Sequence, residues 1–114
     1  MSIEFRDNSD HLRQIIISGR LDIPGTDEIA TRFAAMAVSN GRRVVVDLTQ
    51  VSFLASIGIR AIITNAKALQ SRKGKLVLLV GSNESVTKTL TTTGIDTLIP
   101  MFTDLAAAEQ AALA

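Results

Sequence analysis

Three observations in the 114-residue sequence predict an α/β fold. The first is the order of segments. After two opening strand-like stretches, short apolar runs alternate with stretches of helical period, giving β-β-α-β-α-β-α-β-α. The second is the passage from Arg42 to Leu69. There a β-branched run, Val44-Val45-Val46, gives way to an apolar stripe at Ile59, Ile62, Ile63, Ala66 and Leu69, the spacing of one helix face. The third is composition: 46% hydrophobic and 20% charged residues are enough to build a core and too balanced for a disordered chain. Strands that alternate with helices need right-handed crossovers. The expectation is therefore a mixed, mostly parallel sheet of about five strands, opening with an antiparallel pair and covered by about four helices. The length suits one domain over residues 1–114.

Taken in order, Ile3-Glu4-Phe5-Arg6 alternates as a half-exposed strand does. Asp7-Asn8-Ser9-Asp10 is a turn cluster, and Leu12 to Ile17 is a second strand, antiparallel to the first because the link is short. Ser18 to Gly25, with two glycines and a proline, reads as a loop. Thr26 is placed to cap the first helix, whose buried stripe is Ile29, Phe33, Met36 and Ala37 and whose end is Ser39-Asn40-Gly41. Val44-Val45-Val46 is a buried strand, and Leu48 to Leu54 keeps the pitch of neither element for long. The second helix begins at Ser56 and stops at Lys73-Gly74. Lys75 to Val80 is another buried strand. Ser82 or Asn83 caps a short helix carrying Val86 and Leu90 and closed by Gly94. Thr97-Leu98-Ile99 is a last strand, placed at an edge by Pro100. A final helix from about Asp104 presents Leu105, Ala108, Ala112 and Leu113.

Ser56 stands where the period changes. A serine there is an N-cap by residue type, held at the positive end of a helix where added negative charge is tolerated. Arg60 follows four residues later on the same face. Ile57 falls off the apolar stripe, which leaves it for the surface or for burial under the preceding loop. Gly58 allows close backbone approach at the helix start. Asp22 and Asp47 follow or end strands, and parallel sheets collect function at the carboxyl ends of their strands. Both are expected beside Ser56, Asp22 as a partner contact and Asp47 equally as an acceptor fixing its own loop, with Thr49, Gln50 and Ser52 around the rim.

Several function classes are excluded or disfavoured. Twelve basic and eleven acidic side chains leave a net charge of +1, and there is neither Trp nor Tyr, so nothing draws the chain directly to nucleic acid. Without cysteine there is no disulfide framework and no thiolate metal site. One histidine, His11, supplies neither a metal cluster nor a Ser/His pair, and no Walker-type phosphate loop is present. Gly81-Ser82-Asn83 is a weak phosphate-loop candidate. No catalytic residue, metal or cofactor is expected. No apolar run reaches the ~18–20 residues of a membrane span, and the first residues lack a signal-peptide pattern, so a cytoplasmic protein without membrane insertion is expected.

Val46-Asp47-Leu48, then Val51-Ser52-Phe53-Leu54, then Ser56 and Gly58 before an apolar helix resemble the core of the STAS domain. The Gly19-Arg20-Leu21-Asp22 segment resembles the family too. The chain is most similar to the small anti-sigma factor antagonists of bacterial partner-switching systems. That resemblance implies a non-enzymatic regulator, which binds an anti-sigma factor serine kinase when unphosphorylated; the sequence is equally compatible with a monomer or a weak dimer. The resemblance further implies release on phosphorylation at Ser56 and a protein phosphatase that acts on the phosphorylated form. Contacts with the partner would come from Asp22, Ala55, Ser56, Ile57, Gly58 and Arg60. The chain departs from the family at Ala55, where aspartate is usual, at Ile57, where Ser or Thr is usual, and at Arg60, where a small residue is common. The alternative the resemblance offers is a STAS subunit of a membrane lipid-transport complex, in which Ser56 is never modified.

Overall fold

The computed structural model describes residues 2–38 and 42–114, so the expected helix end at Ser39-Asn40-Gly41 lies outside the described residues. Five strands form a single sheet in sequence order: β1 (Ser2–Ser9), β2 (Leu12–Leu21), β3 (Arg43–Leu54), β4 (Lys75–Leu79) and β5 (Met101–Phe102). The two-residue link Asp10-His11 makes β1 and β2 antiparallel. The other pairs are parallel, and each crossover carries a helix: α1 (Ile23–Val38), α2 (Ser56–Ser71) and α3 (Glu84–Thr92). A fourth helix, α4 (Leu105–Leu113), ends the chain. The expected fold class is the observed one. None of these helices is long and apolar enough to cross a membrane.

The strand interiors explain why the sheet is covered on both sides. Val44, Val46 and Leu48 face the main core with Ile29, Phe33, Ile62, Leu69 and Leu90, under α1, α2 and α3. Val45 points the other way, into a smaller core with Leu12, Val77, Ala108 and Ala112, under α4. A strand buried on both faces needs an unbroken apolar run, which is what Val44-Val45-Val46 is. Full burial of each such side chain is worth about 1.5–3 kcal/mol, so this central strand anchors the domain. The α2 stripe is seated as expected, with Ile59, Ile62 and Leu69 buried and Ile63 and Ala66 half-buried against the main core.

Several boundaries differ from the sequence expectation. β1 runs on through Asp7-Asn8-Ser9, where a turn was expected, because Asp7 and Ser9 still pair with β2, and the turn is Asp10-His11 alone. β2 does not stop at Ile17 but continues to Leu21, and β3 includes all of Leu48 to Leu54. The two extensions pair as a ribbon, Gly19 with Val51 and Leu21 with Leu54, across two register shifts. Those shifts are why Leu48–Leu54 showed no period of two: its buried residues are Leu48, Val51 and Leu54, every third position. α1 begins at Ile23, capped by Asp22 rather than Thr26. The Asp22 carboxylate accepts from the Gly25 amide at 2.9 Å and its carbonyl from Thr26 N–H at 2.9 Å. Pro24 sits in the first turn, where its missing N–H costs nothing. Thr97-Leu98-Ile99 is not a strand either. Ile95 and Ile99, four residues apart, are both buried through a 3₁₀ turn at Ile95–Thr97, and the edge strand follows Pro100.

Candidate functional site

The paired ends of β2 and β3 set two helix starts side by side. Leu21 lies opposite Leu54, and the Ala55 amide donates to the Leu21 carbonyl at 3.0 Å. From there Asp22 leads into α1 and Ala55 into α2. The two caps are chemically unlike. Asp22 supplies a carboxylate to its helix, whereas Ala55, extended at φ −91° and ψ 170°, has no side chain to offer and α2 starts without a side-chain cap. Ser56 is therefore the first residue of α2 and not its cap, which corrects the sequence expectation. Its side chain is exposed, at the positive end of a sixteen-residue helix whose first-turn amides donate to no side-chain acceptor.

Near the two helix starts lie exposed apolar side chains and a few fixed charges. Ile23 is 65% exposed at the head of α1 and Phe53 40% exposed just before Ala55. The Arg20 guanidinium lies over the Phe53 ring at 4.5 Å and also pairs with Asp22 at 3.2 Å. The Gly25 amide, with Arg20 behind it, holds the Asp22 carboxyl below its ordinary 3.8. Beyond the first turn, Ile57 and Arg60 line a groove of about 270 Å³ between α1 and α2, with Thr26, Asp27 and Asn65 among its other walls. Arg60 is exposed and, among the described residues, forms no salt bridge.

The structure thus brings together Asp22, Ala55, Ser56, Ile57 and Arg60. Two expected members are elsewhere. Gly58 is buried: a Cβ there would lie 2.9 Å from Leu21 Cβ and 3.0 Å from Leu54 Cδ1, so its close approach is to the chain's own ribbon and not to a partner. Asp47 is also buried, 7% exposed, and accepts from Gln14 Nε2 at 3.0 Å, Thr49 N–H at 2.9 Å and Thr49 Oγ1 at 2.6 Å. It fixes the bend at the root of the ribbon, as the second of its two expected roles had it. The Gly81-Ser82-Asn83 loop is structural too. Asn83 caps α3 through its carbonyl oxygen and donates its amide to the Leu48 and Val51 carbonyls at 3.0 and 2.7 Å. Among the described residues no three His, Cys, Asp or Glu side chains gather as metal ligands.

Sequence reasoning missed Arg20, Ile23 and Phe53 as members of this surface. The signal was faint: an isoleucine before a proline, in a segment taken for a loop, and a phenylalanine in a stretch without period.

Comparison with known proteins agrees with this architecture. Residues 3–108 match the STAS domain, and the chain belongs to that family. The anti-sigma-B factor antagonist of Listeria monocytogenes is 27% identical over 100 residues, covering 87% of this chain and 86% of that protein. Among solved structures, an anti-sigma factor antagonist from Mycobacterium paratuberculosis superposes with a TM-score of 0.84 at 20% identity, covering 99% of this chain and 94% of that one. SpoIIAA, the Bacillus cell fate determinant, in its phosphorylated form superposes with a TM-score of 0.68 at 18% identity, covering 96% and 99%.

Proposed function

We propose that this STAS protein is an anti-sigma factor antagonist whose binding is switched by phosphorylation at Ser56. The unmodified surface of Ile23, Phe53, Ile57 and the Ser56 turn docks on an anti-sigma factor serine kinase in the cytoplasm and withholds it from its sigma factor. Transfer of a phosphoryl group to the Ser56 hydroxyl breaks that contact, and a protein phosphatase restores it. The protein acts by binding and carries out no chemistry of its own.

The observation that carries this reading is the exposed hydroxyl on the first residue of an α2 that lacks a side-chain cap. A phosphate there adds about −1.5 to −2 charges and a bulky set of acceptor oxygens. The free amides of the first turn and the helix dipole stabilise that charge locally, so the fold survives. The same charge among Ile23, Phe53 and Ile57 disfavours an apolar partner face, so affinity falls. Ala55 leaves the hydroxyl without a carboxylate on the preceding residue, and recognition of the serine rests on the turn and its apolar surroundings.

The test is kinase and ATP incubation followed by mass spectrometry, with partner capture by wild type, Ser56→Ala and Ser56→Asp in parallel. Expected are a single phosphate on Ser56, retained capture by Ser56→Ala and weakened capture by Ser56→Asp. An unmodified Ser56 beside a working kinase control, or co-purification with a permease and ATPase instead of a kinase, defeats the proposal.

A further inference from the structure

The two edges of the sheet are treated differently. β5 is two residues long and entered through Pro100, which leaves little backbone for another strand to join. β1 is eight residues long, contains no proline, and is exposed except at Ile3. Its pairing with β2 is regular from Ser2 to Asp7 and shifts only between Asp7 and Ser9. Such an edge invites another strand unless its side chains forbid it.

They do not forbid a second copy of the same strand. Successive side chains of β1 alternate faces. Ile3 belongs to the core under α1, and Phe5 and Asp7 share its face, where Arg13 stacks on Phe5 at 4.0 Å and pairs with Asp7 at 2.7 Å. Glu4, Arg6 and Asn8 take the opposite face, that of α4, which Asn8 reaches through Glu109 at 2.8 Å. Glu4 and Arg6 are exposed and, among the described residues, in no salt bridge. Place a two-fold axis at Phe5. Each Glu4 then lies directly opposite Arg6 of the partner subunit, on one face, twice over, and the two Phe5 rings meet on the other. The regular stretch Ile3–Asp7 is symmetric about that axis, so the register shift after Asp7 ends the ladder at each side. A guarded edge carries charges of one sign, which repel a second copy; this one carries opposite charges in the order that pairs with itself.

We propose that β1 pairs antiparallel with β1 of a second copy, Glu4 against Arg6, to join two five-stranded sheets into one weak dimer. A contact of one short strand per subunit lies at the small end of specific interfaces, so association is transient. The axis reverses strand direction, so the two Ser56 ends face opposite ways and both stay open.

The chain has no cysteine, which makes the register directly testable. Oxidation of single-cysteine variants should link Phe5→Cys to itself readily and Glu4→Cys to itself slowly, while a mixture of Glu4→Cys and Arg6→Cys links efficiently. In sedimentation equilibrium up to about 500 μM, wild type should show a monomer–dimer equilibrium. Glu4→Arg should weaken it about tenfold, and Glu4→Arg with Arg6→Glu should restore it. Circular dichroism of each variant separates loss of dimer from loss of fold. A wild type monomeric throughout, a dimer indifferent to Glu4→Arg, or equal self-linking at positions 4 and 5 overturns the proposal.

Discussion

The Ala55 amide donates to the Leu21 carbonyl at 3.0 Å, and this one bond ties the starts of α1 and α2 to the same strand end. It explains how Asp22 and Ser56, thirty-four positions apart in sequence, share one surface. It also exposes an asymmetry, because only the first of the two helices has a side-chain cap.

Ala55→Asp is expected to stabilise the protein. The cap backbone is already extended, and a carboxylate there can accept from the free amides of the α2 first turn, a gain of about 1 kcal/mol. Urea unfolding at neutral pH should show a higher midpoint with an unchanged slope. A lower midpoint would mean that the first turn is closed to a side-chain acceptor.

Gly58→Ala runs against helix propensity, which favours alanine by about 1 kcal/mol. The added Cβ meets Leu21 Cβ at 2.9 Å, Leu54 Cδ1 at 3.0 Å and the Leu21 carbonyl at 3.1 Å. Packing wins, since backbone oxygen cannot swing aside as a side-chain end can. A net loss of about 1–3 kcal/mol is expected, read as a lower midpoint in the same urea titration.

Ser56 and Asn83 both stand at helix starts, yet their replacement by alanine should differ sharply. Ser56→Ala removes an exposed hydroxyl that caps nothing, and stability should stay within about 0.5 kcal/mol. Asn83→Ala removes the α3 cap and leaves the Leu48 and Val51 carbonyls without their donor, a loss of about 2 kcal/mol or more. Equal thermal shifts for the two variants would contradict these roles.

Acid should act partly through Asp22. Its carboxyl is held below the ordinary 3.8 by the Gly25 amide and then by Arg20. A depressed folded value means the charged form is the stabilised one. Its contribution is present above pH 3.8 and is lost as pH falls through the lower folded value. Asp22→Asn should therefore flatten the acid limb of a stability-versus-pH curve while leaving the neutral limb parallel to wild type.

Much of the fold was legible because burial leaves a period. Ile59, Ile62 and Leu69 at helical spacing and the apolar run Val44-Val45-Val46 between Arg43 and Asp47 each announce their element from local chemistry alone, whereas the turn expected over Asp7–Asp10 is in fact Asp10-His11. The family resemblance rested on the same stretch, which is the part of the chain most constrained on all sides. That Ser56 stands at the start of a helix was legible for that reason.

The surface around it was not. Register shifts between β2 and β3 belong to the pair and not to either strand, so Leu48–Leu54 hid its true spacing. The hydrogen bonds of Asp22 to Gly25 and of Asp47 to Gln14 come from folding, and they decide which carboxylate caps a helix and which is buried. Sequence by itself determined the element order, the cores and the position of Ser56, because those follow from side-chain type and spacing along one chain. Tertiary structure alone decided that Gly58 packs inward, that Ala55 leaves α2 uncapped and that Arg20 bridges Phe53 and Asp22, because those depend on which strands meet and where their backbones approach.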